Sequence, residues 1–261
     1  MGTPRVNMQH GPSPRNGRIP PTHRNHDAVT APVRSCRDCP VCSQCPVGRL
    51  QSATYPFALR IRSLERGDHL YRSGDALKSL HLVQRGSLMR RMTAPNGSAM
   101  VLEFCDPGQV LGGEAIGSGL YASDAIALEA TEVCELSYPW FAQLAEQHPA
   151  LQQFLVQLLS ARLAQTEQRL LQLGRYDAEQ RLASWLSDYD QRHHHGDSGD
   201  AQWMDLPMSR QDLGDHLGTT LETVSRLLSR FRREHVIELR GRRICVCEPE
   251  RLQRGPVDTK S

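Results

Sequence analysis

The chain has 261 residues, 39% of them hydrophobic, and a formal net charge of +2. That length suffices for two domains with separate cores, and a charge so near balance does not by itself announce a nucleic-acid partner. Residues 1–35 carry prolines and arginines but no apolar run, which excludes a signal peptide or membrane span there and reads as the disordered basic tail of a cytoplasmic protein.

Four cysteines follow within ten residues, Cys36, Cys39, Cys42 and Cys45. Thiolates so closely spaced converge on one small volume. In a reducing cytosol they point to an iron-sulfur cluster or a zinc ion rather than disulfides.

From about Leu59 to Leu136 short apolar segments alternate with glycine turns such as Ser73-Gly74-Asp75, Arg85-Gly86-Ser87 and Asn96-Gly97. Turns at this spacing predict an all-β barrel or sandwich. Between Met92 and Ala161 there is no lysine or arginine, whereas Glu103, Glu114 and Asp124 lie in that stretch.

The pattern turns helical from Trp140 to about Leu173. Val156, Leu159, Leu163, Thr166, Leu170 and Leu173 recur at alternating steps of three and four, a heptad seam flanked by polar residues, and the spacing predicts pairing with a second identical helix. Thr166 places a hydroxyl where the seam wants an aliphatic group and weakens the pairing. Gly174 is expected to interrupt this helix, and Ala178 to Tyr189 forms another around Leu182, Trp185 and Leu186. Arg192 to Asp200, with a histidine triplet, reads as a solvated loop.

Ser209-Arg-Gln-Asp212 has the form of a capping box opening a helix to Leu217; Gly218 supplies a turn, and Thr219 or Thr220 caps a second helix burying Leu221, Val224, Leu227, Leu228 and Phe231. Glu222, Ser225 and Arg226 stand on its other face, where they reach base edges, while Arg230, Arg232 and Arg233 continue toward phosphate. Val236 to Cys247 reads as a hairpin turning at Gly241, with Cys245 and Cys247 as packing residues on one side of its second strand. The result is a winged helix-turn-helix. Neither a nucleophile with its base and oxyanion donors nor a phosphate-cradling glycine loop emerges, so the chain is not expected to be an enzyme.

Arg66-Gly-Asp-His-Leu-Tyr-Arg-Ser-Gly-Asp-Ala-Leu-Lys-Ser-Leu80, Ala115-Ile-Gly-Ser-Gly119, Glu179-Gln-Arg-Leu182 and Leu221-Glu-Thr-Val-Ser-Arg-Leu-Leu228 together resemble the CRP/FNR superfamily of bacterial transcription regulators, most closely its FNR branch of oxygen-responsive iron-sulfur members. The resemblance implies an α+β architecture: a cyclic-nucleotide-binding-like β-roll, a long dimerisation helix and a C-terminal winged helix-turn-helix. The division it suggests is a tail at 1–35, a cysteine-rich cluster-binding segment at 36–58, the roll at 59–145, the dimerisation helix at 146–174, the DNA-binding domain at 175–250 and a second tail at 251–261.

The cyclic-nucleotide branch holds its phosphate with an arginine of the roll. This chain has no cation in the corresponding stretch, and a phosphodiester facing Glu114 and Asp124 would be strongly disfavoured, so cyclic AMP is not expected. In the FNR branch three cysteines at C-x2-C-x5-C spacing and one from the roll hold a 4Fe-4S cluster. Cys36, Cys39, Cys45 and Cys134 match them. Cys42 is additional, so Cys36, Cys39, Cys42 and Cys45 form an alternative set for a cluster or a tetrahedral zinc. Gln44 stands where the family has an apolar residue beside the cluster.

The resemblance further implies a homodimer that depends on an intact cluster, binds double-stranded DNA at a site like TTGAT, four spacer bases and ATCAA, and meets RNA polymerase near Asn96-Gly97. Where FNR has an acid matching Thr166, this chain has no charge, and its dimer is expected to depend less on oxygen. A zinc-bound or thiol-redox regulator of the same fold is the alternative, and an electron-transfer protein a more distant one.

Overall fold

The computed structural model describes residues 39–45, 48, 60–193 and 203–254. The glycine-punctuated half forms eight strands: β1 (Arg60–Leu64), β2 (His69–Tyr71), β3 (Ser79–Arg85), β4 (Leu88–Thr93), β5 (Ala99–Cys105), β6 (Val110–Leu111), β7 (Asp124–Ala127) and β8 (Thr131–Ser137). They pair antiparallel into two four-stranded sheets, ordered β1-β8-β3-β6 and β2-β7-β4-β5. Val83, Leu88, Cys105, Leu111, Ala125 and Val133 are wholly buried between them. Gly86 shows why glycine punctuates the pattern: its φ is 74°, and a Cβ there would strike the Ala130 carbonyl and Thr131. A 3-10 turn at Gly113–Ala115 carries Glu114 toward the roll interior.

The expected single helix from Trp140 is in fact two. α1 (Tyr138–Gln147) ends at His148, whose backbone is extended because it precedes Pro149, and α2 (Pro149–Arg175) starts with that proline. Residues 146 and 147 therefore belong to α1 rather than to the long helix. Nor does Gly174 interrupt α2, which runs on to Arg175.

α3 (Ala178–His193) extends past Tyr189 and takes up the first residues of the expected loop. The cause is local: the His193 ring stacks on Tyr189 at 4.0 Å, and its Nε2 lies 3.4 Å from Asp106 of the roll. The other two histidines of the triplet lie outside the described residues. The C-terminal half continues with β9 (Met204–Asp205), α4 (Arg210–Leu217), α5 (Leu221–Arg233), β10 (Ile237–Arg240), β11 (Arg243–Val246) and α6 (Pro249–Arg254). β11 pairs with both β10 and β9 to make the wing. The stretch from 251, expected as a tail, begins instead inside α6, where Leu252 is buried against the domain core. Cys245 packs as expected, but Cys247 lies beyond the end of β11 and is exposed.

The two halves share one apolar core. Met89, Val101, Phe104 and Ile126 from the roll join Leu182, Trp185, Leu213 and Leu217 of the helical domain. Phe104 meets Trp185 edge-on at 6.0 Å. Among the described residues, no helix is long and apolar enough to cross a membrane.

Candidate nucleic-acid interface and sensor cysteines

The Ser209 hydroxyl accepts the Asp212 backbone N–H, and the Asp212 carboxylate accepts the Ser209 backbone N–H at 2.7 Å, so α4 opens with a complete capping box. Gly218 ends α4 in the left-handed region at φ 64°, and Thr220 caps α5 by accepting the Thr223 N–H. Gly214 lets the helices approach, since a Cβ there would stand 3.0 Å from the Thr219 carbonyl. Val224, Leu227, Leu228 and Phe231 are buried on α5 as expected; Leu221, expected with them, is 38% exposed at the first turn.

On the opposite face Glu222 and Arg226 are exposed and Ser225 is half-buried. Hydrogen bonds from its own backbone N–H and then from the Thr220 hydroxyl hold the Glu222 carboxyl below its ordinary pKa. Sequence reasoning missed Arg210: from the first turn of α4 its Nη1 donates to Ser225 Oγ at 3.3 Å, which sets a cation beside that face. Arg230 is engaged differently from the expectation. Its guanidinium pairs with Glu179 of α3 and, at 3.5 Å, with Glu234, so it ties α3 to α5. Arg232 and Arg233 are exposed, and on the wing Arg240 stacks on Trp203 at 4.4 Å.

Cys36 lies outside the described residues. Cys39 packs against an apolar cluster that contains Cys45 and Cys134 together with Val41, Leu82 and Val110. Gln84 Nε2 donates to Cys39 Sγ at 3.3 Å. Cys42 is not among that cluster; its thiol lies against Gly48, where an added Cβ would come within 2.7 Å of the sulfur. Gln44 is exposed and its amide covers Gly108 in the turn after β5. Among the described residues no three His, Cys, Asp or Glu side chains are set to hold a metal ion. Three soft donors in one apolar cluster nonetheless fit an iron-sulfur cluster in kind.

The roll interior corrects one expectation. Cations do reach it, from just outside the cation-free stretch. Arg90 of β4 is buried and donates to Glu103 at 2.7 Å and to Ser123 at 3.1 Å, and it lies 3.1 Å from Glu114. Arg162 of α2 lies 3.1 Å from Glu103 and 3.4 Å from Glu114, and its Nη2 donates to the Val110 carbonyl at 2.9 Å. Burial opposes the charge of Arg90, but Glu114 and Glu103 outweigh it and raise its pKa. Asp124 does not take part; it accepts the Ser73 N–H at the surface.

The seam of α2 is solvent-facing in the single chain. Val156, Leu163 and Leu170 are 63%, 60% and 64% exposed, and Leu159 is also exposed. The Thr166 hydroxyl donates back to the Arg162 carbonyl at 2.8 Å, so its polarity is satisfied within the helix. Leu173 leaves the seam: its methyl is 3.0 Å from where a Cβ on Gly218 would stand.

Near that point Arg169 Nη1 contacts His216 Nε2 at 2.8 Å, and His216 Nδ1 donates to the Val101 carbonyl of β5 at 3.0 Å. Burial first, and then the Arg169 charge, push the His216 pKa down to about 3. The ring is therefore neutral, with its proton on Nδ1 and Nε2 accepting from Arg169.

Comparison with known proteins bears on both halves. Residues 61–148 match the cyclic nucleotide-binding domain model and residues 180–254 the Crp-like helix-turn-helix domain model. The chain is 31% identical over 225 residues to electron transport regulator A of Shewanella oneidensis, covering 81% of this chain and 88% of that protein. It is 30% identical over 224 residues to the fumarate and nitrate reduction regulatory protein of Escherichia coli K12, covering 81% and 86%. The structure of FixK2 from Bradyrhizobium japonicum superposes with a TM-score of 0.69 at 27% identity, over 76% of this chain and 98% of that one.

Proposed function

Because the chain belongs to the CRP/FNR family of DNA-binding transcription regulators, close to FNR, we propose that it is a cytoplasmic homodimeric regulator that responds to oxygen. The observation that supports this reading is that Cys39, Cys45 and Cys134 belong to one apolar cluster, which Cys42 does not join. Cys36, Cys39, Cys45 and Cys134 would hold a 4Fe-4S cluster, which when bound supplies an oxygen-labile bond between the N-terminal segment and β8.

The protein's own residues do the rest. Cys134 on β8 is paired across the sheet with Leu82 and Ile61, so a pull on its thiol is felt by both neighbouring strands. Val110, in the same apolar cluster, is the residue whose carbonyl receives Arg162 of α2. Pairing of the α2 seam sets two α5 helices about one DNA turn apart on a site with two-fold symmetry. Glu222, Ser225 and Arg226 read a half-site like TTGAT, Arg226 to guanine and Glu222 to a cytosine amino group. The turn at Asn96-Gly97 is the face offered to RNA polymerase.

The test is iron and acid-labile sulfide analysis after anaerobic purification. The wild type and Cys42→Ser are expected to hold about four of each per chain, and Cys134→Ser to lose them. One zinc per chain, with Cys42 required for it, would replace this reading with a zinc-bound regulator.

A further inference from the structure

Arg90, Glu103, Glu114 and Arg162 form a closed set: two cations and two anions, each guanidinium in contact with both carboxylates. The members come from β4, β5, the 3-10 turn and α2, so the set spans the roll and the long helix. Further contacts come from the same protein. Ser123 accepts from Arg90, Val110 from Arg162, and Tyr71 donates to Glu114 at 3.3 Å. All of these groups but Arg162 sit in the domain whose sequence matches the cyclic nucleotide-binding model, on the side that faces α2.

We propose that this ion cluster is a built-in occupant of the roll, and that Arg162 is the positioning residue through which the roll holds the dimerising face of α2. Two half-buried acids without their guanidiniums would repel each other and lose their partners. An arriving phosphodiester would have to displace one of those acids to reach either cation. The cluster thus both closes the roll to anionic ligands and welds the helix to it. Arg162 lies one residue from Leu163 and accepts Thr166 on its carbonyl, so fixing its side chain fixes the rotation of the seam.

The inference rests on the dimer reading above, and sedimentation equilibrium on the full-length chain purified without oxygen separates the two. In Arg162→Gln the dimer dissociation constant is expected to rise about tenfold, within the usual range of a coupling between sites. Arg162→Lys, which can satisfy one carboxylate, should recover part of the loss. Glu103→Gln should weaken the dimer too, and less than additively with Arg162→Gln, because both changes break one network. Measurements are made at a temperature where circular dichroism shows each variant folded. If Arg162→Gln does not fold, Arg162→Lys combined with Glu103→Gln gives the same cycle.

A dimeric wild type whose dissociation constant is unmoved by these substitutions overturns the inference and leaves the function standing. So do strictly additive effects, or a rise in melting temperature of the wild type with millimolar cyclic AMP. A wild type monomeric at every concentration removes the dimer reading, and this inference with it.

Discussion

Arg226 and Arg230 stand one turn apart on the same helix and have different work. Arg226 is exposed on the reading face; Arg230 is braced by Glu179 and Glu234. Arg226→Ala is expected to lose about 1 to 3 kcal/mol of discrimination at a guanine, seen as a relaxed position in selection from a randomised operator library, with the melting temperature unchanged. Arg230→Ala should do the reverse, lowering the melting temperature while the selected consensus stays the same. An ion pair this exposed contributes about 1 kcal/mol at most, so a shift of a few degrees is the expected size. Spacing alone put both arginines toward DNA. What it could not reveal is that Glu179, far upstream on α3, packs beside Arg230 and takes its charge.

At the scale of elements, helix starts and stops were legible because their chemistry is local. Ser209 with Asp212, Gly218 and Thr220 each act on the next few residues, and each does what its sequence context implies. The seam of α2 was legible for the same reason, as a periodicity. Its strength is testable at Thr166, whose hydroxyl is occupied inside the helix and brings no charge to the seam. Thr166→Leu is expected to tighten the dimer about tenfold, two leucines replacing two hydroxyls at the contact, as read by analytical ultracentrifugation. Leu163→Glu should leave monomers. Protein stripped of its cluster is expected to retain a dimer fraction at micromolar concentration, because no acid repels its copy here; wholly monomeric protein would contradict that. The break at His148-Pro149 was also written locally, but the long apolar pattern on either side of it reads as continuous until the extended backbone of His148 is seen.

Across the whole molecule, the docking of the helix-turn-helix on the roll was not legible. Phe104, Val101, Arg169 and His216 meet through contacts separated by most of the chain, and no pattern of spacing encodes such a meeting. Arg162 of α2 reaching the roll acids, from outside the cation-free stretch, belongs to the same class.

The docked interface should depend on pH from two sides. His216 is held neutral with its pKa pushed down to about 3, so the docked state binds fewer protons than the undocked one and loses stability as pH falls below 6.5, by about 1.4 kcal/mol per unit. Burial opposes protonation of His193 too, but its bond to Asp106 outweighs it and raises the pKa. That contribution is present below 6.5 and disappears as pH rises through the raised value. Docking is therefore strongest near neutrality. In a chain whose sole tryptophan is Trp185, with phenylalanine replacing Trp140 and Trp203, emission should shift to the red between pH 7 and 5, and His216→Gln should abolish most of that shift.

The central claim is that oxygen acts through the N-terminal thiols to release DNA. It is tested most directly by titrating one anaerobic sample onto a duplex carrying TTGAT, four spacer bases and ATCAA, and repeating the titration on that sample after exposure to air. The expected result is a loss of affinity of about tenfold or more, within the range of site-to-site coupling. An equal affinity before and after air would contradict the account.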